Sequence, residues 1–210
     1  MVAEAGADYI GVIVGIDVSP RQLTIEQARP VCEQSSLPVV ALFLNRDETQ
    51  IRETVSVLQP YAVQLQAQEP PELVRRLSQS LPCEVWKAGH LPPVNEEQAD
   101  FSQQLHYAES MAAAGASVLL IDTLMKSAGK NHRYGGTGRV NDWTLGRKLV
   151  EALDVPVFLA GGIGPGNVRE AIDTVHPFGI DLASGVEAEP GRKDPEKVRR
   201  LMAAIRSTGT

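Results

Sequence analysis

Short apolar runs of strand length recur along the chain, and segments with helical apolar spacing lie between them. The runs consist mainly of Val, Ile, Leu and Ala without strict polar alternation, as in strands covered on both faces. The predicted strands are Tyr9–Val14, Val39–Leu44, Ala62–Gln66, Glu84–Ala88, Val118–Asp122, Val155–Ala160 and Gly179–Ala183. This pattern predicts an α/β protein with a parallel sheet, either a closed barrel or an open doubly wound sheet.

The helical segments carry recognisable start signals. Thr24 followed by Gln27 predicts a capping box, and Asp194 followed by Pro195 predicts an N-cap and a first helical residue. The predicted helices are Thr24–Glu33, Glu48–Leu58, Pro71–Ser80, Ala99–Ala114, Thr144–Leu153, Gly166–Val175 and Pro195–Arg206.

Seven strand–helix units are visible, whereas a closed barrel of this kind has eight. The Ala-Gly-Ala triplet around Gly6 precedes the first strand, and the same triplet around Gly115 ends a predicted helix. The five residues before Gly6 are too few for a stable helix. We therefore expect a TIM (βα)8-type barrel without its first strand and most of its first helix, in one domain over residues 1–210.

The composition of the chain excludes several kinds of binding partner. Its 210 residues, 43% of them hydrophobic, can bury a full core. The net charge of −6 argues against nucleic acid or an anionic membrane as a partner, and no apolar run approaches the length of a membrane span. We expect no secretory signal, because a basic start and a long apolar region are both missing. The two cysteines predict neither a disulfide framework nor a metal cluster, as in a reduced cytoplasmic protein.

Small residues follow the last two predicted strands, as Gly161-Gly162 and as Ser184-Gly185. Small residues at a strand end let backbone N–H groups approach a ligand, and a helix that starts just beyond favours an anion. A (βα)8 barrel builds its phosphate site from the loops after strands seven and eight. The two junctions therefore predict a phosphate-binding site.

Three other features lie at strand ends, where functional residues of such barrels are found. Asp122 ends an apolar run, which suits a general acid or base, although a helix cap or ion pair fits equally. Arg21 could bind a carboxylate or phosphate, although a lone loop arginine is more often a surface charge. The loop Thr123–Asp142, with Gly136 and Gly138 in its GGTG stretch, is typical either of a lid or of a tight turn.

Together these motifs resemble the phosphoribosylanthranilate isomerases, (βα)8-barrel enzymes of tryptophan biosynthesis, over essentially the whole chain. The motifs are AEAGADYIGVI, Ser19-Pro20-Arg21, ALFLN, VQL, Asp122-Thr123, GGTGRVNDW, LAGGIGPGNV and DLASGVEAEPGRKD.

The resemblance implies an Amadori rearrangement of N-(5-phosphoribosyl)anthranilate to 1-(2-carboxyphenylamino)-1-deoxyribulose 5-phosphate, without a cofactor or metal. By this resemblance Asp122 is the general acid, and Arg21 contacts the anthranilate carboxylate. The remaining substrate-binding residues are Gly161, Gly162, Ser184 and Gly185 at the phosphate, with Asp181, Gly136 and Gly138.

The chain departs from the family pattern at two places. The family's general base is a cysteine at the end of the strand expected to be missing, and neither Cys32 nor Cys83 replaces it. Gln66-Ala67 stand where the family usually has His-Gly after VQL. The alternative is therefore a sugar-phosphate-binding barrel without this chemistry, or with another base such as His90. A histidine-pathway isomerase fits the GGTG stretch less well.

Overall fold

A computed structural model describes residues 1–93, 99–125, 133–134 and 140–207. The chain forms two compact units: Met1–Ala88 with Ser110–Ser117, and Gly89–Glu109 with Val118–Thr210. The prediction of one domain over residues 1–210 stays a prediction. Among the described residues, none of the helices combines the length and the apolar character needed to cross a membrane.

Helices and strands alternate along most of the chain. The helices are α1 (Val2–Ala5), α2 (Ile25–Gln34), α3 (Glu48–Leu58), α4 (Pro71–Ser80), α5 (Phe101–Ala113), α6 (Trp143–Ala152), α7 (Val168–Val175) and α8 (Pro195–Arg206), with a short 3₁₀ helix at Ser184–Val186. The strands are β1 (Ile10–Gly15), β2 (Val39–Phe43), β3 (Ala62–Leu65), β4 (Glu84–Leu91), β5 (Val118–Met125), β6 (Arg133–Tyr134), β7 (Val157–Leu159), β8 (Gly179–Ile180), β9 (Glu187–Glu189) and β10 (Arg192–Lys193).

The first unit is a parallel sheet in which β1, β2, β3 and β4 pair in chain order. Each connection between them contains a helix, as parallel strands require. The largest fully buried side chains of the unit include Phe43 and Leu65 from strands and Ile51 and Leu77 from helices. The core of this unit therefore lies between the sheet and its helices.

The second unit repeats this arrangement with β5, β7 and β8, which pair in parallel. Strand β6 pairs with β5 in antiparallel orientation, and β9 and β10 form a separate antiparallel hairpin. Leu120, Leu159 and Val175 are almost completely buried. Strand β4 passes from the first unit into the second at Gly89.

All seven predicted strands are present, and the differences concern their ends. Strand β5 continues past Asp122 to Met125 and pairs with β6, so part of the loop predicted to lack structure is extended chain. Strand β4 continues to Leu91, which is 1% exposed. Both strands thus run past the polar or glycine residue at which the sequence pattern ended them.

The capping signals at Thr24, Gly6 and Gly115 have the geometry of helix ends. Thr24 and Gln27 form the capping box, with the Gln27 N–H donating to Thr24 Oγ1 and the Thr24 N–H to Gln27 Oε1. Gly6 and Gly115 each follow a helix in the left-handed conformation, with φ of 101° and 102°. The two similar Ala-Gly-Ala triplets therefore adopt the same C-terminal cap.

A buried ion pair joins the middle of β4 to the loop after β3. Lys87 Nζ lies 3.0 Å from Glu69 Oε2, and the two side chains are 0% and 4% exposed. Lys87 Nζ also donates to the carbonyl oxygens of Leu65, Ala67 and Ala88. Burial lowers the pKa of Lys87 from its usual value, and the charge of Glu69 opposes that change. The lysine that the apolar strand buries thus has one carboxylate and three carbonyls around its ammonium group.

We predict that Glu69→Gln destabilises the protein strongly, because it removes the negative charge of Glu69 from beside the buried Lys87 ammonium group. The expected loss of unfolding free energy in urea denaturation is about 3–5 kcal/mol. Glu151→Gln is the matched control, since Glu151 pairs with Arg147 on an exposed helix surface and should cost less than about 0.5 kcal/mol. Adding Lys87→Met to Glu69→Gln should recover most of the loss. A Glu69→Gln protein as stable as the control would contradict this account.

Candidate functional site

An open cavity of about 530 Å³ lies in the second unit, between the loop after β7 and the loop after β8. Its lining consists mostly of glycines and small polar residues: Gly162, Ile163, Gly164, Gly166, Asn167, Ser184 and Gly185. Three residues that the sequence singled out, Gly162, Ser184 and Gly185, therefore line one cavity. A lining of this kind presents backbone groups to a ligand, as phosphate sites do.

The two loops are in contact through their backbones at Gly185. A Cβ atom at this position would lie 2.0 Å from the carbonyl oxygen of Ile163 and 3.0 Å from the Cα atom of Gly164. Real Cβ atoms do not approach other atoms so closely, and a carbonyl oxygen of the main chain cannot rotate away. Position 185 therefore requires glycine for the loops to have their present spacing.

Gly161 meets a similar restriction on the other side of the loop after β7. Its φ is +86°, a region that favours glycine, and a Cβ atom would lie 2.1 Å from Thr123 Oγ1. Thr123 is fully buried, and its hydroxyl has no hydrogen-bond partner within the part of the chain that the structure describes. The residue after Asp122 thus packs directly on the first glycine of the predicted phosphate loop.

Asn167 holds the loop after β7, although the sequence reasoning did not single it out. Its Oδ1 accepts from the Gly164 N–H at 2.8 Å, and its Nδ2 donates to the Gly162 carbonyl at 3.0 Å. The side chain therefore closes the Gly162–Gly164 turn before α7 begins. An asparagine immediately before a helical apolar pattern is a recognised N-cap signal, and it could have identified this residue.

Asp122 lies inside β5 rather than at its end, and it is 5% exposed. Its Oδ1 accepts from the Thr123 N–H at 2.7 Å. The preceding residue, Ile121, pairs with Leu159, and its carbonyl accepts from the Ala160 N–H. Asp122 therefore occupies the strand next to the one that leads into the loop of Gly161 and Gly162. A carboxyl group that is largely shielded from water is suited to proton transfer.

Asp181 follows β8, and its N–H donates to the Leu159 carbonyl at 2.9 Å. Burial raises the pKa of the Asp181 carboxyl above its usual value, and the positive charge of Lys193 opposes that effect. The structure therefore places a carboxyl group and a lysine beside the start of the second loop. The role of Asp181 in substrate binding stays a prediction.

The remaining predicted site residues are Arg21, Gly136 and Gly138. Arg21 belongs to the first unit, in the loop after β1, where its N–H donates to Ser19 Oγ. Its predicted contact with a carboxylate stays a prediction. Gly136 and Gly138 lie outside the described residues.

One expectation about the second loop needs correction. The sequence predicted a strand to Ala183 and a helix just beyond, but β8 ends at Ile180 and only the three-residue 3₁₀ helix Ser184–Val186 follows. The hairpin β9–β10 then separates it from α8, which begins at Pro195. The tight contact at Gly185 leaves no room for a side chain at this position.

Neither cysteine has the environment of a reactive thiol. Burial raises the pKa of Cys83 to about 11, and burial likewise raises the pKa of Cys32. A thiol acts as nucleophile or base through its thiolate, which is scarce at neutral pH for such groups. No three His, Cys, Asp or Glu side chains come together as a metal site would require, within the described ranges.

The parallel strands and intervening helices define an α/β protein of the (βα)8-barrel type, with small-residue loops after two neighbouring strands. The family model for N-(5′-phosphoribosyl)anthranilate (PRA) isomerase matches residues 1–204. The chain belongs to this family.

Individual relatives agree with this assignment. The N-(5′-phosphoribosyl)anthranilate isomerase of Methanocella arvoryzae is 33% identical over 209 residues, which is 98% of this chain and 91% of the relative. The crystal structure of phosphoribosyl anthranilate isomerase from Thermotoga maritima has a TM-score of 0.80 and 30% identity, covering 98% of this chain and 91% of that one. Another isomerase structure, in complex with reduced 1-(o-carboxyphenylamino)-1-deoxyribulose 5-phosphate, has a TM-score of 0.78 and 29% identity over the same shares. The predicted fold class and family are confirmed.

We predict that Gly185→Ala weakens the binding of inorganic phosphate by about tenfold or more, since overpacking at a tight contact costs about 1–3 kcal/mol. The methyl group has to push the two loops apart at the Ile163 carbonyl. Gly166→Ala is the matched control, because it lines the same cavity and its methyl group would have nothing within 4 Å. Isothermal titration calorimetry measures both affinities. Equal affinity in the two variants would show that the contact does not set the shape of the cavity.

Proposed function

We propose that this chain converts N-(5-phosphoribosyl)anthranilate to 1-(2-carboxyphenylamino)-1-deoxyribulose 5-phosphate, an Amadori rearrangement of tryptophan biosynthesis. The observation that carries the proposal is the family match over residues 1–204, together with the glycine-lined cavity beside the strand of Asp122. Membership in an isomerase family favours this function over the alternative of a sugar-phosphate-binding barrel without turnover. The proposal places the reaction in the cytoplasm, the compartment that the two thiol cysteines predict.

The cavity is proposed to hold the phosphate group of the substrate. Its lining includes Gly162, Gly164, Ser184 and Gly185, and such small residues allow backbone N–H groups to reach phosphate oxygens. The related structure with a bound phosphorylated compound supports a phosphorylated small molecule as the ligand class. Anchoring the phosphate would hold the sugar in one orientation, which lowers the entropic cost of the chemical step.

Asp122 is proposed to protonate the ring oxygen of the ribosyl group. Cleavage of the bond between C1 and the ring oxygen then produces an open-chain iminium ion, and loss of the C2 proton forms an enolamine that tautomerises to the ketose. The Asp122 carboxyl group is 5% exposed, and its strand pairs with β7, which leads into the loop proposed to hold the phosphate.

The high thiol pKa of Cys83, about 11, argues against a role as base at neutral pH. Arg21 is proposed to contact the anthranilate carboxylate, as its fork of donors suits a planar carboxylate.

We predict that Asp122→Asn lowers kcat for this isomerisation by about 10²–10⁴-fold, the usual contribution of a general acid. Its affinity for inorganic phosphate should stay within about twofold of the unchanged chain, because the amide keeps the size of the carboxyl group. Asp154→Asn is the matched control, an exposed position before β7 in the same unit. Product formation by the purified proteins and rescue of a tryptophan-requiring strain are the two measurements.

Rescue by both the unchanged chain and Asp122→Asn would remove Asp122 as the acid. Phosphate binding without turnover by the unchanged chain would instead favour the sugar-phosphate-binding alternative.

A further inference from the structure

Lys193 lies close to the second loop of the cavity, although the sequence reasoning assigned it no role. It is the last residue of β10, and its side chain is 30% exposed. Its Nζ donates to the Ala183 carbonyl at 3.1 Å and to Glu187 Oε1 at 3.3 Å. Lys193 therefore connects the β9–β10 hairpin to the residue immediately before Ser184.

The hairpin is itself held firmly, so it can serve as a fixed support. The Glu187 side chain is 5% exposed, and its Oε1 also accepts from the Gly191 N–H at 3.2 Å. The Glu187 carbonyl accepts from Lys197 Nζ at 2.7 Å, which ties β9 to the first turn of α8. The Asp194 N–H donates to the Val186 carbonyl and closes the base of the hairpin.

The Ala183 carbonyl has a direct geometric link to the cavity. The Ala183 carbonyl and the Ser184 N–H belong to one planar peptide group, and no cis peptide occurs in the described residues. In a trans peptide these two groups point in opposite directions, so fixing the carbonyl also fixes the N–H. Ser184 lines the cavity, and the Ala183 carbonyl of the same peptide group accepts from Lys193.

The 3₁₀ helix alone provides little support for this peptide. The Ala183 carbonyl also accepts from the Val186 N–H of the 3₁₀ helix, at the longer distance of 3.4 Å. A helix of three residues has a smaller dipole than a longer helix would have at this place. The ammonium group of Lys193 supplies a closer hydrogen bond to the same carbonyl.

We propose that Lys193 is a positioning residue for the phosphate group of the substrate, holding the Ala183–Ser184 peptide so that its N–H is directed to the ligand. The inference rests on the proposed phosphate site. Glu187 orients Lys193 through their ion pair.

The test measures inorganic phosphate binding to the full chain by isothermal titration calorimetry. We expect Lys193→Met to raise the dissociation constant about tenfold, because it removes a hydrogen bond from a charged donor. Lys193→Arg keeps the charge and a donor, so it should stay within about threefold of the unchanged chain. Arg192→Met is the matched control, since Arg192 is the neighbouring residue of the same strand and its side chain pairs with Glu189 at an exposed position. It should leave the affinity unchanged.

A purely structural role would give a different result. In that case Lys193→Met would lower the melting temperature without ligand, and its phosphate affinity would match that of Arg192→Met, which overturns the inference. If circular dichroism shows Lys193→Met to be unfolded, Lys193→Gln replaces it with the same expected loss, and unchanged affinity there also overturns the inference.

The two proposals fail in distinguishable ways. If the unchanged chain does not bind phosphate at all, the proposed function and this inference are both wrong. If the unchanged chain binds phosphate and both neutral Lys193 variants bind it equally well, only the inference about Lys193 is wrong.

Discussion

The backbone contact between two loops at Gly185 is the constraint on which the candidate site depends. The loop after β7 approaches the loop after β8 so closely that a Cβ atom at position 185 would lie 2.0 Å from the Ile163 carbonyl oxygen. This spacing makes a cavity lined mainly by glycines and small polar residues. Lys193, from the hairpin that follows, donates to the Ala183 carbonyl in the loop after β8.

In each unit a lysine side chain donates to main-chain carbonyls near the end of a strand. Lys87 donates to the carbonyls of Leu65, the last residue of β3, and of Ala67 in the loop that follows, and Lys193 donates to the Ala183 carbonyl in the loop after β8. Each lysine is also paired with a well-buried glutamate, Glu69 or Glu187. A loop at the end of a strand exposes carbonyls that have no partner in the sheet, and a cation satisfies several of them at once. The stability of one unit and the proposed phosphate binding of the other thus depend on the same kind of contact.

Much of the fold could be predicted from local patterns. Helices α3, α4 and α8 begin and end where predicted, because a capping aspartate or a proline at the first turn marks each start. The hairpin β9–β10 was missed because its strands are two or three residues long and mostly charged, without an apolar run. The lysine–glutamate pairs could not be predicted either, since their partners depend on how loops and strands pack.

The sequence by itself determined the α/β class, the order of strands and helices, the family and the position of the two small-residue loops. These properties follow from apolar periodicity, capping residues and motifs that are local in the chain. Only the tertiary structure decided that Gly162, Ser184 and Gly185 line one cavity, that Asn167 closes its first loop, and that β5 runs beyond Asp122. Tertiary structure also placed Lys193 behind the Ala183–Ser184 peptide. These features depend on distances between segments that are far apart in the chain or folded into short turns, and no periodicity in the sequence encodes such distances.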